Sequence, residues 1–239
     1  MATTAKLIRD ETGKKVDATL YRSMIGSLLY ITASRPDIYF SVGVCARYQS
    51  TPTKLHLTAV KRILKYLVGT TDFGLCYSCD TNISLVGFSD SNWAGNLDYR
   101  KSTSGGCFYV GNNLVSWHNK KKNSISLSTA EAEYIAAGSC CIQLLWMKQM
   151  LRDYGLCLDT LTIYCDNTSA INLSKNPVQN SRTKHIDIRY HFLRELVESK
   201  LIVLSHVASE SQLADLFTKA LSSQTFVHLR KSIGVCMFE

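Results

Sequence analysis

Residues 85–90 read Leu-Val-Gly-Phe-Ser-Asp, and residues 161–166 read Leu-Thr-Ile-Tyr-Cys-Asp. Both runs are β-prone, and each ends in an aspartate that small polar residues follow. Because chemistry in open α/β sheets gathers at the carboxyl ends of strands, Asp90 and Asp166 are candidate functional residues. A structural interpretation stays open, since aspartate is common after a strand and Asp166 could cap the next helix.

The segments around these two runs alternate between strand and helix patterns. Residues 74–77 form a short extended run, and 107–110 and 114–117 flank Gly111-Asn-Asn113, which predicts a hairpin. Helices are predicted at 129–154, before Pro177, at 187–200 and at 212–221, with strands at 160–165 and 201–207. We therefore expect an α/β fold whose mixed sheet carries helices on its faces.

A smaller helical unit precedes the strands. Three helical stretches are predicted, at 18–32, after Pro36 and after Thr53, and each places apolar residues on one face. Residues 1–80 contain eleven Lys and Arg against six Asp and Glu, so this unit is basic. The expected division is a polar lead-in (1–17), a helical segment (18–72), a sheet domain (73–225) and a C-terminal tail (226–239).

The composition is that of an ordinary globular protein. Hydrophobic residues make up 46% and charged residues 19%, which excludes a mainly disordered chain. The longest apolar stretches fall short of the roughly 20 residues that span a bilayer, and the first ten residues have no secretory character. We therefore expect an intracellular protein without a membrane partner. The net charge of +8 favours a polyanionic partner.

The cysteines indicate a reducing compartment. There are nine, an odd number with irregular spacing, including the neighbours Cys140 and Cys141. This usage predicts free, mostly buried thiols rather than a disulfide framework. Cys76 and Cys79 form a C-x-x-C pair, but no second Cys or His pair follows at the spacing of a zinc site.

Two further acids lie in helical patterns. Glu133 shares a helical face with Ala137, Cys140 and Leu144, and a carboxylate on a buried face is costly unless it is paired or bound to metal. Glu131 is a rival on the other apolar face, although a capping box with Ser128 would give it a local role. Asp215 lies opposite the apolar stripe of the predicted helix 212–221, a position that favours a solvated surface residue, although an active-site acid would also face away from the core.

Several long motifs together resemble the ribonuclease H domain of copia-type LTR retrotransposon Pol polyproteins. In chain order they are SLVGFSDSNWAG, DYRKSTSGGCFYVGNNLVSWHNKKK, SLSTAEAEYIAA, IYCDNTSAINLSKNP, TKHIDIRYHFLRE and SQLADLFTKAL. The resemblance covers about residues 83–225. The upstream motifs YRSMIGSLLYITASRPDI and AVKRILKYLVGT are similar to the end of the reverse transcriptase that precedes this domain, so segment 18–72 is interpreted as that connection.

The resemblance implies a fold, an activity and a set of site residues. The fold is a ribonuclease H-like five-stranded mixed sheet flanked by helices, here preceded by a small helical segment. The activity is a Mg²⁺-dependent endonuclease that hydrolyses the RNA strand of RNA–DNA hybrids. Carried over motif by motif, two Mg²⁺ ions, for which Mn²⁺ is expected to substitute, are held by four catalytic carboxylates: Asp90, Glu133, Asp166 and Asp215.

Other residues have two open interpretations. The resemblance suggests that His206, nine positions before Asp215, assists proton transfer or product release, and the alternative is a surface histidine. The rings of Trp117 and His118 lie beside the basic run Lys120, Lys121 and Lys122, which suits a nucleic-acid backbone. A core tryptophan followed by a solvated lysine turn is the alternative. His185, Asp187 and His191 are interpreted as structural.

Two related activities are disfavoured. The sequence contains no Asp-Asp pair, so polymerase activity is not expected. An integrase would need a glutamate about 35 residues after Asp166, where Ile202 lies instead. The expected partners are an RNA–DNA hybrid and a reverse transcriptase polymerase domain. The competing hypothesis is a catalytically silent retrotransposon remnant that only binds nucleic acid.

Overall fold

The N-terminal part of the chain is helical. The structure is a computed structural model that describes residues 7–79, 82–96, 98–123, 125–175 and 191–237. Its first helices are α1 (Ala18–Ile31), α2 (Tyr39–Ala46) and α3 (Lys54–Val68), with a 3₁₀ turn, Pro36–Ile38, leading into α2. Their apolar faces pack together into a separate small core that contains Tyr21, Ile25, Leu28, Val42 and Val60.

A five-stranded mixed sheet forms the centre of the molecule. After a short strand β1 (Phe73–Leu75), the strands of this sheet are β2 (Leu85–Asn92), β3 (Thr103–Val110), β4 (Asn113–Lys121), β5 (Leu161–Cys165) and β6 (Ile202–His206). Their order is β4-β3-β2-β5-β6. Strand β3 is antiparallel to both β2 and β4, whereas β5 is parallel to β2 and β6. The parallel pairings bring the carboxyl ends of β2, β5 and β6 to the same end of the sheet.

Three helices cover one face of the sheet. They are α4 (Thr129–Asp153), α5 (Thr168–Lys175) and α6 (His191–Glu198). The main core lies between them and the strands, and it includes Phe108, Ala137, Cys140, Leu144 and Ile163. Helix α4 is apolar almost all round, as expected for a helix whose first half is mostly buried.

The C-terminal residues cover the other face. Two 3₁₀ turns, Ser209–Ser211 and Leu213–Phe217, lead to α7 (Ser223–Ser232) and β7 (Val235–Met237). Strand β7 pairs antiparallel with β1, and a disulfide joins Cys76 to Cys236 beside this pairing. The expectation of free thiols is therefore wrong for this pair, whose members lie 160 positions apart in the sequence. The other seven cysteines are free, and five of them are buried.

Polar contacts join the helical segment to the sheet and hold its own helices together. The Trp117 indole donates a hydrogen bond of 3.2 Å to the carbonyl oxygen of Thr32, at the end of α1. Arg35 makes a buried bidentate ion pair with Asp37, which also accepts a 2.7 Å hydrogen bond from the Tyr66 hydroxyl. Buried charges are stable only when they are paired in this way, so the contact fixes α3 against α2.

The predicted fold class is confirmed, with two local differences. The extended run at 74–77 does not join the main sheet, because β1 pairs with β7 instead. The predicted helix 212–221 is a short 3₁₀ turn, and the last α-helix is α7. The domain boundaries stay predictions, and residues 226–239 include most of α7 and all of β7. Among the described residues, no helix combines the length and the apolar character needed to cross a bilayer.

Candidate active site

Two of the candidate acids lie side by side at the end of the sheet. Asp90 belongs to the last part of β2, and Asp166 directly follows β5. The parallel register pairs Phe88 with Tyr164, so both aspartates extend from the same end of the sheet. Asp166 does not cap α5, because the Asn167 side chain takes that position and accepts a 3.0 Å hydrogen bond from the amide of Ala170.

Helix α4 delivers Glu133 to the same place. Gly87 on β2 allows the close approach, since a Cβ atom there would lie 2.8 Å from the Cys140 sulfur and 3.1 Å from Leu144 Cδ1. Glu133 Oε1 accepts a 3.0 Å hydrogen bond from the backbone amide of Ser91, one residue after Asp90. Glu131 acts locally, as predicted, because its side chain accepts a hydrogen bond from the amide of Leu127.

The fourth acid arrives from the opposite face of the sheet. Asp215 lies in the 3₁₀ turn Leu213–Phe217, which the buried side chain of Gln212 ties to β2 through a 3.0 Å hydrogen bond to the carbonyl oxygen of Ser89. Gly105, opposite Asp90 on β3, makes room for this turn. A Cβ atom at Gly105 would lie 2.6 Å from Thr218 Cγ2 and 2.9 Å from Phe217 Cβ.

The four carboxylates converge. One carboxylate oxygen from each of Asp90, Asp166 and Asp215 lies within 4.8 Å of the others, and Glu133, Asp166 and the Cys165 sulfur form a second such group. Asp90 is 2% exposed, and Glu133 and Asp215 are each 6% exposed. Asp166 is half-buried and belongs to both groups, so it lies at the solvent side of the cluster.

Burial and mutual repulsion raise the pKa values of two acids in the cluster. Burial, and then the negative charge of Asp90, raise the pKa of Glu133 well above its ordinary range. The same two causes raise the pKa of Asp215, although Lys219 opposes the shift. Without a divalent cation, the raised pKa of Glu133 therefore favours its protonated form at neutral pH, whereas the ion pair with Lys219 counteracts this tendency at Asp215.

Three polar side chains that the sequence analysis did not single out hold the acids in place. The Thr218 hydroxyl donates to Asp90 Oδ2, and the Ser209 hydroxyl donates to Asp166 Oδ2 at 3.0 Å. Lys219 Nζ lies 2.8 Å from Asp215 Oδ1 and 3.6 Å from Asp90 Oδ1. For Thr218 and Lys219 the available signal was their position three and four residues after Asp215, since this spacing places side chains on one side of a helical turn. Ser209 lies six residues before Asp215 and had no such signal.

The donor set fits a hard divalent cation. Carboxylate oxygens are the ligands preferred by Mg²⁺ and Mn²⁺, and two overlapping groups of donors share Asp166. The thiol of Cys165 is a poor ligand by comparison. Burial, and then the charge of Glu133, raise its pKa to about 12, which keeps it protonated.

The histidine and lysine candidates lie in other environments. His206 is exposed at the end of β6, where it pairs in register with Cys165, the residue before Asp166. This location near the acids is compatible with either interpretation of His206, and its role stays a prediction. His185 and Asp187 lie outside the described residues, as does the side chain of His191.

The predicted nucleic-acid-binding residues lie on β4 and just after it. Trp117 is half-buried and its indole donates a hydrogen bond to Thr32, a contact that favours the core interpretation of Trp117. The His118 ring stacks on Phe108 at 5.7 Å. Burial, and then Lys122 and Lys120, lower the pKa of His118 to about 4.

The three lysines differ in exposure. Lys120 is exposed, Lys121 lies over the Tyr99 ring at 4.0 Å, and Lys122 donates to the Ser139 hydroxyl at 3.1 Å. Burial, and then Lys120, lower the pKa of Lys122 to about 8. A role of these lysines in binding nucleic acid stays a prediction.

Comparisons with known proteins identify relatives over nearly the whole chain. No protein-family model matches. The chain is 40% identical over 236 residues, 98% of its length, to the retrovirus-related Pol polyproteins from transposons RE2 and RE1 of Arabidopsis thaliana. It is also 40% identical, over 216 residues, to the one from transposon TNT 1-94 of Nicotiana tabacum. The chain spans only 16% of the length of each of these relatives.

Solved structures with a similar arrangement are more distant. One is LC11-RNase H1 in complex with an RNA/DNA hybrid, at 16% identity and a TM-score of 0.41, covering 56% of this chain and 94% of that chain. Another is the prototype foamy virus protease-reverse transcriptase, at 13% identity and a TM-score of 0.42, covering 66% of this chain and 21% of that chain.

Proposed function

Because this chain belongs to the copia-type retrovirus-related Pol polyproteins, we propose that its acidic cluster is the active site of a ribonuclease H-type hydrolase. The proposed reaction is endonucleolytic cleavage of the RNA strand of an RNA–DNA hybrid. The residues proposed to act are Asp90, Glu133, Asp166 and Asp215.

The convergence of these acids is the observation that carries the proposal. They come from β2, from α4, from the end of β5 and from the turn Leu213–Phe217, and three of them are at least nine-tenths buried. Carboxylates placed this close repel one another and lose hydration, a combination that a fold tolerates where a cation is bound. A purely structural role would be served better by apolar or singly paired residues.

The four carboxylates would hold two Mg²⁺ ions, and Mn²⁺ is expected to substitute. Asp90, Asp166 and Asp215 form one group of donors, and Glu133 with Asp166 forms the other. When bound to these acids, such ions would supply activation of a water molecule and stabilisation of the charge on the attacked phosphate and on the departing oxygen.

The chain's own side chains orient the acids. The Ser91 amide fixes one oxygen of Glu133, and the hydroxyls of Thr218 and Ser209 each fix one oxygen of an aspartate. The second oxygen of each of these three carboxylates does not take part in that hydrogen bond. Hydrogen bonds of this kind hold metal ligands in place and support the affinity for the metal. The half-buried Asp166 places the substrate at the solvent side of the cluster.

The proposed substrate is a polyanion. The net charge of +8 favours its binding, and the exposed Lys120 lies on the same sheet as the acids. Selectivity for the RNA strand would come from the 2′-hydroxyl groups and from the shape of the hybrid. A reverse transcriptase polymerase domain is the proposed protein partner, since the relatives are much longer than this chain.

A second function is favoured by one observation. Lys219 is ion-paired with two of the four acids. An ammonium that neutralises these acids in place of a metal ion would suit a protein that binds nucleic acid without cleaving it. This is the catalytically silent remnant, and a cleavage assay separates it from the enzyme.

The test uses the purified full chain and a hybrid labelled on either strand, at low salt, with Mg²⁺ or Mn²⁺. We expect cleavage of the RNA strand alone and a loss of at least about a hundredfold in Asp90→Asn, which removes one ligand charge without changing side-chain size. The control is Asp153→Asn, the same change on the exposed end of α4. Wild-type protein that binds the hybrid and leaves both strands intact with either ion would establish the silent alternative.

A further inference from the structure

Lys219 occupies a position inside the acidic cluster that a metal ion would also use. Its ammonium nitrogen lies 2.8 Å from Asp215 Oδ1 and 3.6 Å from Asp90 Oδ1. The side chain is 35% exposed, whereas those of Asp90 and Asp215 are almost fully buried. The lysine therefore reaches from the protein surface into the cluster.

This contact differs from an ordinary surface ion pair. One ammonium contacts two carboxylates that belong to the same group of potential metal donors. The Thr218 hydroxyl already binds the other oxygen of Asp90, so Oδ1 is the oxygen of that residue that faces a cation. A divalent ion bound between Asp90 and Asp215 would lie close to an ammonium held at these oxygens and would be repelled by it.

The structure also provides space into which the lysine can move. Lys219 lines a cavity of about 650 Å³ between the helical segment and α7, together with Phe40, Ser222 and Ser223. The stem of a lysine has four flexible carbons, and its compact ammonium is strongly hydrated. Because Arg62 and Arg230 also line the cavity, a rotation of the stem would carry the ammonium from the acids to the mouth of the cavity and into water.

From these contacts we propose that Lys219 is a resident cation that a divalent ion must displace from Asp90 and Asp215. In the metal-free protein the lysine holds the two aspartates together, and during metal binding it leaves them. Lys219 is thus a positioning residue that weakens and regulates metal occupancy at one of the two sites. This inference rests on the proposed function in that it assumes metal binding by the cluster.

The first test measures Mg²⁺ binding to the metal-free full chain by isothermal titration calorimetry. Lys219→Met removes the charge and keeps most of the length, and we expect its apparent Kd for Mg²⁺ to be about tenfold lower than that of the wild type. Lys219→Arg keeps the charge and should not tighten binding. Lys231→Met, the same change on the exposed face of α7, is the matched control and should behave as wild type. Unchanged or weaker Mg²⁺ binding in Lys219→Met would overturn the proposal.

A second measurement follows the wild-type chain itself and uses a charge-retaining variant only to assign the signal. The ¹⁵N resonance of the Lys219 ammonium, assigned by its disappearance in Lys219→Arg, reports whether the ion pairs persist. We expect Mg²⁺ at saturation to shift this resonance or to broaden it beyond detection, because the ammonium enters water or the cavity. A resonance that stays in place while Mg²⁺ saturates the protein would show that the lysine and the metal coexist.

The two proposals fail in different ways. If the hybrid stays intact but Mg²⁺ binds more tightly to Lys219→Met, the proposed hydrolase activity is contradicted and the proposed role of Lys219 is supported. If the RNA strand is cleaved but the Kd is unchanged in Lys219→Met, the hydrolase activity is supported and the role of Lys219 is contradicted.

Discussion

Replacing Glu133 by Gln should stabilise the metal-free protein, and the gain should grow with pH. Glu133 is 6% exposed and lies beside Asp90, and these causes raise its pKa from 4.5 to about 9. Between these two values the folded protein retains a proton that the unfolded chain releases, so the stability of the wild type falls as the pH rises. The slope for one group is at most about 1.4 kcal/mol per pH unit, which gives an upper bound of about 3 kcal/mol at pH 7.

Glutamine removes the titration and keeps an oxygen that can accept the hydrogen bond of the Ser91 amide. The assay is urea unfolding in EDTA at pH 5, 7 and 8.5, with Glu198→Gln on the exposed side of α6 as the matched control. The curves of wild type and Glu133→Gln should diverge with pH, by about 1 to 3 kcal/mol at neutral pH. Saturating Mg²⁺ should stabilise the wild type more than the variant. Equal slopes against pH, or a variant less stable at every pH, would refute the argument that Glu133 is strained by its neighbours.

Two other substitutions test how the cluster is held. Gly105→Ala should lower the free energy of unfolding by about 1–3 kcal/mol and weaken Mg²⁺ binding, because the new Cβ would collide with Thr218 and Phe217. A variant as stable as the wild type would contradict this. The control is Gly26→Ala in α1, where a Cβ atom would meet nothing within 4 Å. This substitution should stabilise the helix by about 0.5–1 kcal/mol. Thr218→Val should weaken Mg²⁺ binding about 10–100-fold, because Asp90 loses the hydrogen bond from the hydroxyl. Thr218→Ser keeps the hydroxyl and should keep the affinity, and calorimetry of both variants measures the difference.

The parts of the fold that depend on local pattern were predictable from the sequence. Two β-prone runs ending in Asp90 and Asp166 predicted strand ends, and the structure places both at one end of the sheet. The apolar face shared by Glu133 and Cys140 predicted burial, which the structure confirms. Asp215 was left undecided because its segment is a 3₁₀ turn rather than an α-helix, so the periodicity of residues 212–221 did not describe its surroundings.

The remaining features depend on contacts between distant segments. The bond from Gln212 to Ser89 and the space at Gly105 place Asp215 at the cluster, and neither leaves a periodic signal in the sequence. The disulfide between Cys76 and Cys236 links the start of the predicted sheet domain to the predicted C-terminal tail, and no local pattern relates two cysteines 160 positions apart. A lysine four residues after an aspartate is common on solvated helices, so the spacing of Lys219 alone did not indicate a cation inside the cluster.

The partners of the four acids show how the fold tolerates their repulsion. Each acid comes from a different element, and each has a polar contact from outside its own element or from the turn that carries it. Where such contacts are insufficient, the raised pKa of Glu133 favours its protonated form, and Lys219 supplies one positive charge to Asp215 and Asp90. The protonation of Glu133 and the contacts of Lys219 must both be reversed when metal ions bind, because the ligands must then be ionised and the lysine must move. The metal-free fold is therefore stabilised by the same interactions that oppose loading, and removing Lys219 should tighten Mg²⁺ binding while making the metal-free protein less stable at high pH.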